Sequence, residues 1–262
     1  MNSINATATF LANLRATHER ITKLPDDLRP SDFEMAYAVQ SALVDLLAQQ
    51  HGGQRIGYKA ACTNQVAQQQ LNISGPLFGA LLSHSTYHSP VRLRADTFST
   101  CIIEAEFGFQ LAADVPASSS LHTAQSIVKF VGKAFPGIEI VSHRFVDWTK
   151  AGALSVVADN AIHGAYVRGE PYRDWRKLEL ETHQVRVIVN GRAIAAGQGS
   201  AVLGHPLNVI AWLANELPKY GRQLKRGDTI TTGTCAEVYP AWAGDVVKVE
   251  FGVMGSVEVA FE

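Results

Sequence analysis

The stretch Ile102–Leu111, IIEAEFGFQL, carries two carboxylates two residues apart inside an apolar run. Alternation along a strand puts Ile103, Ala105, Phe107, Phe109 and Leu111 on one apolar face and Glu104, Glu106, Gly108 and Gln110 on the other. The two Glu Cα atoms would then lie about 7 Å apart, close enough for both side chains to converge on one ion. A third carboxylate, Glu139, sits in the short apolar stretch GIEIVSH, with Ile138 and Ile140 facing the other way. Three carboxylates on apolar strands repel one another and lose hydration unless something positive joins them. A hard divalent cation does so: Mg²⁺ prefers carboxylate oxygen and keeps positions open for water or substrate. The same pattern also fits a sheet with an ordinary solvated face, and the residues alone leave both open.

The elements that must position these groups are legible in outline. The chain has 262 residues, 47% of them apolar and 18% charged, enough to bury a sizeable core in one large domain or in a small and a larger one. The first fifty residues read as helices: Phe10, Leu11, Leu14 and Ile21 recur at roughly helical spacing, and Phe33, Tyr37, Leu43, Leu46 and Leu47 form a stripe. Ser31 and Glu34 have the spacing of a capping box before that stripe. A short helix is expected around Gln65–Leu71, one over 124–135 that stops before Pro136, and one from Pro206 to about Leu217. Strands are expected over 100–112, 137–142, 180–189, 193–197, 228–232, 245–251 and 256–261. Asn190-Gly191 marks a hairpin turn. Few helices among these strands, without βαβ alternation, imply a mixed or antiparallel sheet.

Several function classes are excluded by composition. The net charge of −1 gives no basic face for nucleic acid or an anionic membrane. No run of about 18 apolar residues is present, and the first twenty residues lack the apolar core of a secretory signal. Cys62, Cys101 and Cys235 are widely spaced, without CxxC, which fits free thiols in a reducing cytoplasm and argues against zinc.

The segments IGYKAACT, PLFG, IEAEFGFQL, GIEIVSHRFVDW, VADNA, GQGSAVLGHPLNVIAWLA, LKRGDTITTGT and GSVEVAF follow one another over nearly the whole chain. In that order they resemble the 2-hydroxypenta-2,4-dienoate (2-keto-4-pentenoate) hydratase/2-oxo-3-hexenedioate decarboxylase family of the fumarylacetoacetate hydrolase superfamily. The resemblance implies an α+β fold, a mixed β-sheet roll with a small helical N-terminal region, here divided as residues 1–80 and a catalytic part, 81–262. It implies Glu104, Glu106 and Glu139 as ligands of Mg²⁺ or Mn²⁺ and Lys59, in the G-x-K motif, as the catalytic acid/base. Family substrates are small 2-hydroxy-dienoates and their 2-oxo tautomers, whose carboxylate and 2-oxygen can chelate the ion while it stabilises an enolate. Near a divalent cation the Lys59 pKa should fall toward the working range. A cytoplasmic homo-oligomer is expected, as among relatives.

Two departures bear on the reaction. Hydratases carry aspartate in PDFG, where this chain has Leu77, which cannot activate water or relay a proton. They commonly have serine after VADNA, where Ile162 and His163 follow here. An aliphatic residue in the first slot favours the decarboxylase reading, whereas the absent serine does not. Hydration ranks first, with decarboxylation of a 2-oxo-hexenedioate, hydrolysis of an acylpyruvate and a non-catalytic partner subunit as alternatives. Leu77, Asp159, Asn160 and Thr234 are expected at the substrate. Asp159 and Asn160 could place a water or orient Lys59, or merely cap a turn, and Thr234 could bond the substrate carboxylate or simply end a strand. The histidines show no ligand spacing, and His143, four residues after Glu139, is the one singled out as a candidate for the site.

Overall fold

In the computed structural model, which describes residues 3–262, the strand that carries Glu104 and Glu106 lies at the middle of an eight-stranded mixed sheet. In chain order the strands are β1 (Arg55–Ala61), β2 (Leu77–Leu82), β3 (Thr86–His88), β4 (Val91–Leu93), β5 (Ile102–Leu111), β6 (Val131–Val141), β7 (His163–Arg168), β8 (Gln184–Val189), β9 (Arg192–Gln198), β10 (Thr229–Thr231), β11 (Tyr239–Pro240), β12 (Val246–Glu250) and β13 (Ser256–Phe261). The helices are α1 (Ser3–Thr17), α2 (Phe33–His51), α3 (Gln65–Leu71), α4 (Ala124–Ile127), α5 (Trp148–Ala151), α6 (Ala153–Ala158) and α7 (Pro206–Glu216). The large sheet runs β2-β1-β10-β5-β6-β7-β3, with β11 on the end of β5, and a second sheet of five strands runs β4-β13-β12-β8-β9.

The apolar face of β5 is fully committed to the core. Ile103, Ala105, Phe107, Phe109 and Leu111 are buried in one cluster with Val187, Val249 and Val257 of the smaller sheet and with Phe251, just after β12, which meets Phe107 edge to face at 5.0 Å. The other face of the large sheet curls inward. Leu81 of β2 meets Phe135 of β6 and Tyr166 of β7 in a small cluster of its own, closing the roll across its interior. Lys59, Glu104, Glu106 and Glu139 occupy that interior face. The helices α1 and α2 pack on each other through Leu11, Leu14, Val39 and Leu43, and reach Ala80, Leu82 and Phe145 of the β-rich part.

The structure departs from the sequence expectation at three places. The N-cap of α2 is Asp32, whose carboxylate accepts from the Met35 amide at 2.8 Å, so the Ser31/Glu34 box is out of phase by one residue. Residues 124–135 are not one helix. Only α4 and a 3₁₀ turn over Val128–Phe130 form, and β6 then runs straight through Pro136. Pairing with β5 over almost the whole length of β6 overrides the local helical pattern there. Finally, the helices α1 and α2 end at His51, and β1 and β2 are strands of the large sheet, so that sheet begins inside the segment expected to be helical and β2 crosses its boundary at 80/81. The Asn190-Gly191 hairpin, α3 and β13 fall where expected, the turn with φ of 50° and 80°.

Two glycines keep the roll's interior open beneath the carboxylates. A Cβ on Gly137 would lie 2.1 Å from the Tyr166 hydroxyl, and one on Gly108 2.4 Å from it. The Tyr166 ring therefore lies across the backbone of β5 and β6, and its hydroxyl is buried without a hydrogen-bond partner. Gly137→Ala is expected to destabilise the protein by about 1–3 kcal/mol through overpacking. Adding Tyr166→Phe should recover part of that loss, because the atom met first is removed. Urea unfolding of the two single variants and the double variant checks this, and strict additivity would contradict the contact.

Candidate metal centre and active site

The three carboxylates converge because of strand register. Glu104 and Glu139 are directly opposite in the antiparallel β5–β6 pair, and Glu106, opposite Gly137, follows on the same face. One carboxylate oxygen from each lies within 4.8 Å of the others. Glu106 and Glu139 are fully buried and Glu104 is half-buried at the wall of a cavity of about 260 Å³.

Each fully buried carboxylate has one oxygen satisfied by the protein and one left over. Glu106 Oε2 accepts from the Gly233 amide at 2.7 Å, and Glu139 Oε1 takes Lys59 Nζ at 3.1 Å and His163 Nδ1 at 2.9 Å. Glu106 Oε1 and Glu139 Oε2 are buried with no partner among the described residues. Leaving such oxygens unpaired is costly. Two orphaned carboxylate oxygens beside a third carboxylate make a donor set of hard oxygens that fits a divalent cation.

The charges of the cluster are mutually coupled. Burial pushes the Glu104 carboxyl up to about 7, with Glu139 adding to the effect. Burial raises Glu106 well above the usual range, and Glu139 and Glu104 again add to it. Burial also opposes ionisation of Glu139, but the Lys59 ammonium and the His163 hydrogen bond outweigh it and hold that carboxyl at about 2. For Lys59, burial works against the ammonium and the three carboxylates prevail, raising its pKa. His163 is shifted down by burial despite Glu139, a shift that favours the neutral imidazole.

Lys59 is 1% exposed, and Nζ also donates to the Ala161 carbonyl at 3.2 Å. That carbonyl is presented by three consecutive residues in the left-handed region, Asn160, Ala161 and Ile162, with φ of 54°, 48° and 54°. This backbone is strained and is held from several sides. The Asn160 side-chain amide exchanges two hydrogen bonds with the backbone of Ala80, at 2.7 and 2.9 Å. Asp159 is fully buried between two guanidiniums, Arg144 at 2.6 Å and Arg15 of α1 at 2.9 Å. Arg15 also donates to the carbonyls of Asp159 and His163.

The sequence-derived residues thus separate into groups. Lys59, Glu104, Glu106 and Glu139 come together. Thr234 lines the cavity, but its hydroxyl donates to the Ala236 carbonyl at 2.7 Å, so it has no proton left for a substrate carboxylate. Asp159 and Asn160 are not on the wall. Both are instead bonded around the turn whose Ala161 carbonyl accepts from Lys59. Leu77, opposite Ala61 at the start of β2, is buried and lines a separate, wider cleft of about 640 Å³ with Tyr37, Trp212 and Tyr220. His143 is buried, and its amide is tied to Thr100, but its ring makes no bond to the carboxylates. Sequence reasoning missed His163, Arg15, Arg144 and the Gly233 amide. A glycine in the TTGT turn was a usable signal for the last, and a buried-looking VADNA aspartate implied some cationic partner.

The fumarylacetoacetate (FAA) hydrolase C-terminal family matches residues 54–262, from the start of β1 to the end of the chain. The chain belongs to the fumarylacetoacetate hydrolase family. It is 32% identical over 243 residues to a 2-keto-4-pentenoate hydratase of Paraburkholderia xenovorans (strain LB400), covering 92% of this chain and 88% of that protein. It is likewise 32% identical over 244 residues to a 2-hydroxyhexa-2,4-dienoate hydratase of Comamonas testosteroni, covering 92% and 90%. Its fold superposes on the 4-oxalocrotonate decarboxylase from Pseudomonas putida G7 complexed with magnesium and adipate with a TM-score of 0.91, at 26% identity over 99% of this chain and 97% of that one. The same enzyme has also been solved with calcium and acetate. Hydratases and decarboxylases are lyases, and this member of the fumarylacetoacetate hydrolase family is an enzyme of that kind with a carboxylate site for a divalent metal.

The pKa directions give a pH dependence. Glu104 moves up from 4.5 to about 7 on folding, so its contribution to stability is complete below pH 4.5 and is lost as the pH rises through 7. Glu106 acts in the same direction. Glu139, held at about 2, contributes above pH 4.5 and loses that only in strong acid. The metal-free protein should therefore melt at a lower temperature at pH 8 than at pH 5.5. A divalent cation should raise Tm more at pH 8, where fewer protons compete for its oxygens, and Glu106→Ala should abolish the metal-dependent rise. Melting curves with EDTA and with saturating Mg²⁺ at both pH values check it.

Proposed function

We propose that the protein is a Mg²⁺- or Mn²⁺-dependent lyase acting on a small 2-hydroxy-dienoate through its 2-oxo tautomer, with water addition as the leading reaction. The observation that carries this is the convergence of a buried lysine and three carboxylates in one cluster, which meets the cavity at Lys59 and Glu104. A divalent cation there supplies a Lewis acid for negative charge developing on the substrate's 2-oxygen. Lys59 is the proton carrier: its ammonium is aimed by the Ala161 carbonyl and Glu139 Oε1. Neutralising the carboxylates removes the interactions that keep Lys59 charged and leaves burial, which favours the free amine.

The cavity lining favours an uncharged substrate tail. Ile102, Val141, Trp148, Val156, Ile162 and Val238 are its larger apolar lining residues, and Lys59 is the one cation among the described residues that line it. A second substrate carboxylate would find no cation beyond Lys59 and only the neutral polar groups of Thr63, Asn64, Gln70 and Thr234 among a mostly apolar lining. This supports the hydratase-like reading over decarboxylation of a 2-oxo-hexenedioate. The aliphatic Leu77 is what keeps the decarboxylase as the second reading. A non-catalytic subunit has little reason to keep Lys59 and all three carboxylates together.

With Mg²⁺ or Mn²⁺ present, a 2-hydroxy-dienoate with an alkyl or vinyl tail should lose its dienol absorbance and yield hydrated product. Its kcat/KM should exceed that of the dicarboxylate by roughly 100-fold or more. Lys59→Met should abolish turnover while keeping metal-dependent binding of oxalate, which needs only the ion. Release of CO₂ from the dicarboxylate as the faster reaction would transfer the assignment to the decarboxylase, and full activity in Lys59→Met would remove the mechanism.

A further inference from the structure

His163 is the residue at this site that the sequence pattern hides. Glu139 pairs with Tyr166 in the β6–β7 register, so strict alternation would give Gly164 the same face and turn His163 away. The register instead slips: Ile140 pairs with Ala165, and Val141 with His163, skipping Gly164. This is a bulge, which re-aims a side chain. Gly164 permits it, since a Cβ there would lie 2.7 Å from the Ile140 carbonyl and 2.9 Å from the Ser142 Cβ. The imidazole consequently lies fully inside, with Nδ1 at 2.9 Å from Glu139 Oε1. Because a carboxylate only accepts, Nδ1 carries the proton. The His163 backbone is pinned as well, its carbonyl receiving Arg15 Nη1 at 3.0 Å.

The effect of this contact is to differentiate the two oxygens of Glu139. Lys59 and His163 both donate to Oε1, and Oε2, in a fully buried position, has no partner among the described residues. Lys59 alone would not enforce that division. An ammonium on a flexible stem can follow a rotating carboxylate or bridge both of its oxygens. A rigid ring on a pinned backbone cannot. We propose that His163 is a positioning residue: it locks Glu139 with Oε1 toward Lys59 and Oε2 toward the cation, so that the acid/base group and the metal do not compete for one oxygen. The inference rests on the carboxylate cluster being a metal site, as proposed above. Outer contacts of this kind affect metal affinity by about 10–100-fold.

The test compares His163→Asn, His163→Gln and His163→Leu in the full-length protein. Asparagine can place an N–H near the Nδ1 position, whereas glutamine carries its amide out toward the Nε2 position and leucine has no donor. Mn²⁺ affinity is measured by calorimetry, alongside Tm with EDTA to report the fold without metal. His163→Asn is expected to bind Mn²⁺ within about threefold of the wild type, and the Gln and Leu variants about 10–100-fold more weakly. If leucine prevents folding, the Asn–Gln contrast carries the same information. Equal Mn²⁺ affinity in Asn and Gln, or wild-type affinity in Leu, would overturn the positioning role while leaving the metal site intact. A wild-type protein that binds no Mn²⁺ would overturn the metal reading first and this inference with it.

Discussion

The structure depends on the placement of three carboxylates and one ammonium on the inner face of a curled sheet. Lys59 can neutralise one of the three, and it is already committed to Glu139 Oε1 at 3.1 Å. In the metal-free protein the excess negative charge is relieved by protonation, which is why Glu104 and Glu106 shift up while Glu139 shifts down. A buried cluster of this kind is unfavourable as a stabilising device. Its retention makes sense as a binding device, with orphaned oxygens held ready by a fold whose stability comes from elsewhere.

That stability comes chiefly from the other face of the same sheet. The alternate residues of β5 are packed without exposure against the smaller sheet, so strand β5 is rigid where it carries Glu104 and Glu106. The polar face is supported by a different set of contacts. Arg15 reaches from α1 to both ends of the left-handed turn after α6, Arg144 shares Asp159 with it, and Asn160 ties the same turn to β2. The N-terminal helices thereby take part in orienting Lys59 although no residue of theirs lines the cavity. Breaking a buried pair such as Arg144–Asp159 leaves an uncompensated charge, typically a loss of about 3–5 kcal/mol.

The residues that close the cavity decide what the centre can accept. The lining beyond Lys59 and Glu104 is mostly apolar, and Ile162 stands there because the strained turn that presents the Ala161 carbonyl to Lys59 also directs the chain along the wall. Orientation of the acid/base group and selection of the substrate tail are thus set by one short segment. Leu77, the other position at which the chain departs from the hydratase pattern, is paired with Ala61 on the face that carries Lys59 and also borders a neighbouring cleft.

The sequence by itself determined the features that are local. Period-two alternation assigned the two faces of β5, turn chemistry located the Asn190-Gly191 hairpin, and the ordered motifs carried the family and with it Lys59 and the three glutamates. Those are interactions within a few residues, or residue types kept in order along the chain. Tertiary structure alone decided the rest. Whether Glu104 would face Glu139 depended on the register of two strands about thirty residues apart. Passage of β6 through Pro136 was settled by its pairing with β5, against the local helical pattern. The entry of His163 into the site depended on one skipped residue opposite Val141, which reverses the face that alternation assigns. The anchoring of Asp159 by Arg15 joined positions 144 residues apart. Register, bulges and buried ion pairs come from packing summed over the whole molecule, and no window of the chain contains the partners that fix them.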